Sequence, residues 1–310
     1  MRGPSTVSIR SAIMTEYINN IAGIWWAWMW PMFWQVSLLI VLIGLVDLCI
    51  RSHVRPQVRY ILWVLVFVRL VLPVGLVLPG RFLIAADSAH QPTPMLSWQA
   101  YVMLAWITGV LVLSGWMLVS SRRLRQMYHG KTKRADLPQR FRQSLIRVSK
   151  RLNLRQLPDV VLSSKVASPA VFGVFRPVLL INISQLSRRE LEHILLHELA
   201  HIKRGDLIVH VFGLLLQIIY WFNPLLWLAH RRLHRLQDLC CDTMIVRILR
   251  DKTNEYKQTI LDTTPRLLTG PISQAAEALG LTENDGHLSD HLSSLGKSKL
   301  DSEPLVVSRD

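Results

Sequence analysis

The sequence predicts an α-helical membrane protein that also contains a small α+β domain. Three observations predict this fold class. The N-terminal part of the chain contains three long apolar stretches, at 21–50, 58–79 and 96–119. Two short runs rich in β-branched residues, which are typical of strands, follow at 158–163 and 170–182. A helical pattern with an N-terminal capping signal then begins after Ser187.

The apolar stretches predict three transmembrane helices within an N-terminal region at 1–120. The predicted spans are at about 29–50, 58–79 and 96–119. Each is long enough to cross a hydrocarbon core of about 30 Å at about 1.5 Å per residue. A helix buried in a soluble core seldom needs more than about 18 uninterrupted apolar residues, so we favour membrane spans.

The charges that flank the spans predict their orientation. Arginines follow the first span at Arg51, Arg55 and Arg59, and the segment after the third span is also dense in Arg and Lys. The loop between the second and third spans has only Arg81 against Asp87. Because basic loops stay in the cytoplasm, we expect a multi-pass protein of the plasma (inner) membrane with everything after the third span cytoplasmic.

A basic linker at 121–155 accounts for most of the net charge of +15, with twelve Lys or Arg against Asp136. Nucleic-acid binding is one interpretation of such a segment. Binding to anionic membrane lipids is the other, at about 1 kcal/mol per basic residue near the surface. We favour lipids, because a span ends where the segment begins and aromatic residues suited to base stacking are not interleaved in it. No direct nucleic-acid partner is expected.

The cytoplasmic half is predicted to consist of a domain at 156–250 and a polar, flexible tail at 251–310. An amphipathic helix at 141–154 leads from the membrane zone to the two strand-like runs. Ser187 and Glu190 form a capping-box pattern, which predicts a helix that runs to about Arg204.

This helix contains a metal-binding pattern, His197-Glu198-Leu-Ala-His201. The two histidines are one helical turn apart and can bind one Zn²⁺ ion side by side, while Glu198 can act as the catalytic base of a hydrolase. Two histidines on a buried helix face are the alternative interpretation. His193 lies one turn earlier, but the outer two of three such histidines are about 12 Å apart along the axis. We therefore interpret His193 as a polar surface residue.

A catalytic zinc needs a third protein ligand, and Asp238 is the best candidate. Asp242, one turn later, is predicted to hydrogen-bond a ligand imidazole. His230 and His234 have the same four-residue spacing, and one of them, His234 above all, is a candidate donor to the transition state; solvated helix residues are the alternative interpretation.

The need for Asp238 at the metal excludes a fourth span. The stretch 207–229 is almost long enough to cross a membrane, but a crossing would place Asp238 and His197 on opposite sides. Asn223-Pro224 interrupts the stretch, because proline ends or kinks a helix. We therefore predict a helical hairpin that packs on the membrane or dips into it.

Three segments resemble those of a known family. They are 195–206 (LLHELAHIKRGD), 221–227 (WFNPLLW) and 240–242 (CCD). Together they resemble the BlaR/MecR-type antirepressor membrane metallopeptidases, and 167–177 is similar to the strand region that precedes the metal helix in that family. The resemblance covers about 21–250 and lacks a penicillin-binding sensor domain, so no β-lactam sensing is expected.

The resemblance implies a gluzincin-like zinc endopeptidase domain that faces the cytoplasm, with His197 and His201 as ligands and Glu198 as catalytic base. It also implies a protein substrate, a winged-helix transcriptional repressor in a signal-transduction pathway. Where the family has Glu, this chain has Asp238, one methylene shorter. The alternative is therefore a catalytically weakened signalling or scaffold protein that retains the fold. The sequence leaves open whether the chain acts alone or as a homodimer.

Overall fold

The computed structural model describes residues 6–72, 95–127, 137–164, 169–184 and 186–259. The chain forms two compact units. Of the described residues, the first comprises 6–53, 61–72, 95–123 and 213–230, and the second comprises 54–60, 124–127, 137–164, 169–184, 186–212 and 231–259.

The first unit contains long apolar helices. In chain order the first three helices are α1 (Thr6–Ile50), α2 (Pro56–Val71) and α3 (Trp98–Met127). Two segments, Ile13–Ile50 in α1 and Trp98–Arg123 in α3, have the length and hydropathy needed to cross a membrane. Large apolar side chains along both helices are exposed, for example Leu38 at 72% and Leu111 at 66%. Side chains of this kind are favourable in contact with lipid tails and unfavourable in contact with water.

The predicted second span is only partly present. Helix α2 has 16 residues and ends at Val71, which is shorter than a membrane span usually requires. The rest of the predicted span, at 73–79, lies outside the described residues, as do Arg81 and Asp87 of the loop that follows. The described part of the chain therefore contains two of the three predicted spans.

The predicted helical hairpin is present as α6 (Asp206–Ile219) and α7 (Pro224–Leu249). The chain reverses at 220–223, and the side-chain oxygen of Asn223 accepts a hydrogen bond from the backbone N–H of Leu225 at 3.0 Å. Pro224 occupies the first position of α7, where its fixed φ suits a helix start and no N–H is needed.

The tip of the hairpin packs within the first unit. Trp106 of α3 donates its indole N–H to the carbonyl of Ile219 at 2.7 Å. Asn223 donates to the hydroxyl of Ser37 on α1 at 3.2 Å. These bonds satisfy polar groups at the tip that would be costly to leave unpaired among apolar helices. The tip is therefore bonded to both candidate spans, α1 and α3.

The second unit contains a three-stranded sheet and two packed helices. The strands are β1 (Asp159–Leu162), β2 (Ala170–Phe172) and β3 (Val178–Ile181), in the order β1-β3-β2. β1 is parallel to β3, with Val160 opposite Leu179, and β2 is antiparallel to β3. The helices are α4 (Gln139–Arg151) and α5 (Arg188–Arg204).

The core of the second unit extends beyond 156–250 on both sides. The apolar face of α4, with Phe141, Leu145 and Val148, is buried in the same cluster as Leu195 of α5. This face therefore packs inside the domain, and the predicted amphipathic helix is part of the domain core. The first nine residues of the predicted tail also differ from the prediction. They form a 3₁₀ turn and a helical segment at 253–259, and Tyr256 has no exposed surface. Residues 260–310 lie outside the described residues.

Candidate metal centre

Helix α5 begins and ends at strong local signals. The hydroxyl of Ser187 accepts from the backbone N–H of Glu190 at 3.3 Å, and the carboxylate of Glu190 accepts from the N–H of Ser187 at 2.7 Å. Gly205 ends the helix with φ +75°, a left-handed conformation that glycine adopts without steric cost. The predicted helix and its capping box are thus confirmed.

The sequence of α5 separates a core face from a polar face. Leu195, Leu199 and Ala200 are fully buried. His197 and His201 lie on another face, and their side chains are 18% and 19% exposed. The 3.6-residue period of the helix therefore holds both imidazoles beside each other at the edge of the core.

Three side chains come together at this edge. The Nε2 atoms of His197 and His201 are 3.3 Å apart, and Nε2 of His201 is 3.4 Å from Oδ1 of Asp238 on α7. These three residues form one of the groups of the described residues whose ligand atoms all lie within 4.8 Å. Around a tetrahedral zinc ion, with bonds of about 2.0–2.2 Å, neighbouring ligand atoms are about 3.3–3.6 Å apart. The spacing and the donor types of the three residues therefore fit zinc.

The Nδ1 atom of each histidine has a carboxylate partner. Nδ1 of His197 is 3.2 Å from Oδ1 of Asp242 on α7, and Nδ1 of His201 is 2.9 Å from Oδ2 of Asp206. A carboxylate at Nδ1 favours the tautomer with its proton there, which leaves Nε2 free to bind a metal.

Asp206 was not identified from the sequence, although a local signal was present. The left-handed turn at Gly205 directs the chain back, so that Asp206 lies beside His201 and accepts from Nε of Arg204 at 3.0 Å. Burial opposes ionisation of this carboxyl, but the hydrogen bonds from His201 and Arg204 hold its pKa below the ordinary value. Asp206 is therefore a carboxylate and can accept from His201.

Glu198 lies next to His197 on α5, as the motif requires. Burial raises the pKa of its carboxyl above the ordinary value; the nearby His197 and His201 lower it, and Asp238 raises it. A carboxyl group of raised pKa is better able to hold a proton near neutral pH than an exposed one.

His193 is not the polar surface residue that we predicted. It is 6% exposed, its Nδ1 is 2.8 Å from the hydroxyl of Thr259, and its ring is 5.6 Å from that of Tyr256. The helical segment at 253–259 covers it, and the sequence pattern of α5 contains no sign of that contact. His193 is not in the metal-ligand group with His197 and His201.

The other predicted histidines lie elsewhere on the hairpin. His234 is one turn before Asp238 on α7, and its Nε2 is 2.5 Å from Nδ1 of His210 on α6. His230 is 3% exposed, so it is not a solvated residue. The role of His234 as a donor to the transition state stays a prediction.

Comparison with known proteins identifies the family of this chain. The sequence profile described as BlaR1 peptidase M56 matches residues 81–289, which is more than half of the 310-residue chain. The chain belongs to the BlaR1 peptidase M56 family. The matched region contains the whole His197–His201–Asp238 group of this M56 chain.

Relatives of this M56 chain include a regulatory protein and a methicillin resistance protein. The regulatory protein BlaR1 of Bacillus licheniformis is 38% identical over 105 residues, which cover 33% of this chain and 18% of the relative. The methicillin resistance mecR1 protein of Staphylococcus aureus is 26% identical over 164 residues, which cover 52% of this chain and 28% of the relative. The chain thus aligns with less than a third of the length of either relative.

Proposed function

We propose that this chain is an integral-membrane zinc endopeptidase that cleaves a cytosolic or membrane-proximal protein. The observation that carries the proposal is the group formed by His197, His201 and Asp238, in which Nε2 of His201 lies at the ligand–ligand distance of tetrahedral zinc from both other ligand atoms. Membership of the M56 peptidase family supports it.

Each residue of the centre has a distinct role in the proposal. His197, His201 and Asp238 hold the zinc ion, which when bound polarises water and the scissile carbonyl. Glu198 accepts the proton of the attacking water and delivers it to the leaving amine. Burial raises the pKa of its carboxyl, which favours the first of these steps, the uptake of a proton.

The short side chain of Asp238 is able to reach the metal position. Its Oδ1 is 3.4 Å from Nε2 of His201, which matches the distance between neighbouring ligands of tetrahedral zinc. The carboxylate of Asp238 therefore lies at ligand distance from His201 without the additional methylene of a glutamate. This supports an active enzyme over a scaffold protein that has lost turnover.

The proposed substrate is a winged-helix transcriptional repressor in a signalling pathway. Support comes from the relatives, one of which is named a regulatory protein and another a methicillin resistance protein. The basic residues that follow α3 support a plasma-membrane protein with its peptidase domain in the cytoplasm, where such a repressor is found.

Zinc stoichiometry tests the metal site directly. The full chain is purified in detergent as wild type, His201→Ala and Asp238→Ala, with Asp159→Ala on β1 as a matched control. We expect one zinc per chain in the wild type and the control, and a loss of zinc in the other two. Full zinc in Asp238→Ala would show that the third ligand is a different residue.

Cleavage tests the catalytic role. The chain, as wild type and as Glu198→Gln, is co-expressed with candidate winged-helix repressors from the same genome. We expect cleavage by the wild type and a rate about 10²–10⁴-fold lower in the variant, which retains zinc. Equal cleavage by both would exclude Glu198 as the base. Zinc-loaded wild type that cleaves none of these repressors would favour the scaffold alternative.

A further inference from the structure

Tyr256 contacts the metal centre from a segment that the sequence motifs do not include. It lies in the helical segment at 253–259, and none of its surface is exposed. Its hydroxyl is 2.7 Å from Oδ1 of Asp242 and 3.2 Å from Nδ1 of His197. A residue far from the motif in sequence thus touches both members of a histidine–carboxylate pair.

The three groups form a closed set of hydrogen bonds. The phenol O–H donates to Oδ1 of Asp242, which also lies 3.2 Å from Nδ1 of His197. The Nδ1–H of His197 is directed at this oxygen and at the phenol oxygen of Tyr256, both of which accept. Two acceptors on the same side of the ring restrict rotation of the imidazole and select the tautomer whose Nε2 is free.

The position of the Tyr256 hydroxyl is itself held by packing. The ring lies in the main core cluster of the second unit, with Leu195 and Leu199 among its members. The His193 ring meets it edge-on, at 5.6 Å and 87°. Thr259, one turn after Tyr256, contacts Nδ1 of His193 at 2.8 Å and thereby ties the end of the segment to α5. The hydroxyl therefore has little freedom to leave Asp242.

We infer that Tyr256 is a positioning residue of the proposed zinc site. Its hydroxyl holds His197 and Asp242 in the arrangement that directs Nε2 of His197 towards Nε2 of His201. This inference rests on the proposed function, because it takes His197 to be a zinc ligand. Tyr256 does not touch the ligand atoms themselves, so it acts through the histidine. The part of the chain that forms the metal centre thus extends past 250.

The substitution Tyr256→Phe tests this role, because it removes one oxygen atom and keeps the ring. The dissociation constant for zinc is measured on the full detergent-solubilised chain by competition with a chelator. We expect affinity to fall about 10–100-fold, as is typical when a partner behind a ligand histidine is lost. Tyr220→Phe is the matched control, since Tyr220 is also a buried tyrosine but lies at the hairpin tip, and it should bind zinc like the wild type.

A second variant separates positioning from folding. Asp242→Asn keeps the size of the side chain and weakens both hydrogen bonds, and we expect it to lower zinc affinity as well. If Tyr256 acts through Asp242, adding Tyr256→Phe to Asp242→Asn lowers affinity by less than the product of the two single effects. Circular dichroism verifies that each variant is folded. If Tyr256→Phe does not fold, the zinc affinity of Asp242→Asn is the test, because Tyr256 is proposed to act through Asp242. Wild-type zinc affinity in Asp242→Asn would then overturn the inference.

The failure of this inference is distinguishable from that of the proposed function. A wild type that binds no zinc, or a His201→Ala variant that binds it normally, would refute the metal site as a whole. Only the role of Tyr256 would be refuted if the wild type and His201→Ala behave as proposed while a folded Tyr256→Phe binds zinc with wild-type affinity. A cobalt-substituted Tyr256→Phe with an altered visible spectrum would further support displacement of His197.

Discussion

The two histidines that we propose as zinc ligands, His197 and His201, have different kinds of hydrogen-bond partners. Behind His201 stands Asp206, only five residues further along the chain, which the turn at Gly205 places there together with Arg204. Behind His197 stand Asp242 and Tyr256, which are 45 and 59 residues away and belong to other elements. One half of the centre is therefore assembled by a local turn, and the other half requires the domain to be folded. The two halves should respond differently to substitution.

The largest expected difference concerns Asp206→Asn. This variant weakens the bond to Nδ1 of His201, and we expect zinc affinity to fall about 10–100-fold, as for Tyr256→Phe. It also removes the charge that pairs with Arg204, whose side chain is only 18% exposed. Both variants lose a hydrogen bond to a buried carboxylate, and we expect the lost ion pair to cost Asp206→Asn about 1–3 kcal/mol of stability in addition.

Chelator competition and thermal unfolding of the full chain, with Asp159→Asn as control, measure the two effects of Asp206→Asn separately. Wild-type zinc affinity in this variant would show that Asp206 does not orient His201 for metal binding. Equal stability losses in Asp206→Asn and Tyr256→Phe would remove the distinction between the two halves.

A smaller effect is expected at Gly205, which tests the local turn alone. A Cβ at this position has ample room, since its nearest neighbour is Ile208 at 3.9 Å, so the cost of Gly205→Ala arises only from φ +75°. We expect a loss of about 1–2 kcal/mol in the free energy of unfolding. Gly205→Asn should cost less, because asparagine adopts this conformation more readily. Denaturant titration of the zinc-free chain measures both, and an alanine variant as stable as the wild type would mean that the turn has another conformation.

The smallest effect on stability is expected at His193, which packs against the same segment, 253–259, that contains Tyr256. Burial lowers the pKa of this histidine, with Glu255 and Glu192 acting against the shift. The unfolded chain therefore binds a proton below about pH 6.5 that the folded chain does not, and stability falls as the pH decreases below this value. Replacing His193 by Gln should remove part of this acid-side loss. Unfolding temperatures at several pH values measure the slope, and an unchanged slope would show that His193 contributes nothing to it.

Much of the metal centre could be predicted from the sequence because its signals are local. The capping box of Ser187 and Glu190 and the one-turn spacing of His197 and His201 follow from helix geometry. Asp238 was the best candidate for the third ligand that a catalytic zinc needs. The requirement that it lie on the same side of the membrane as His197, together with the break at Asn223-Pro224, then predicted a hairpin. Asp238 and Asp242 were identified by a signal that is also local, because they lie one helical turn apart on α7.

The residues that prediction missed depend on contacts between distant segments. Tyr256 and His193 meet only because the segment at 253–259 packs on α5, and no periodicity in either segment encodes that contact. The apolar pattern of α4 correctly predicted a helix. That pattern does not say whether the apolar face of the helix packs on lipid or on α5. Apolar burial is non-directional, so a pattern states that a face is buried and leaves its partner open.

The sequence by itself determined the family, the types of the proposed ligands and the spacing of the two histidines on α5, because these depend on residue identity and on the pitch of a single helix. The sequence also predicted that Asp242 hydrogen-bonds one of the two imidazoles, but only the tertiary structure decided that this is His197 and that Asp206 and Tyr256 are further partners. Asp206 reaches His201 through a backbone turn, and Tyr256 reaches His197 through packing across the domain. Orientation of an imidazole requires hydrogen bonds from fixed positions, and these positions exist only when the chain is folded.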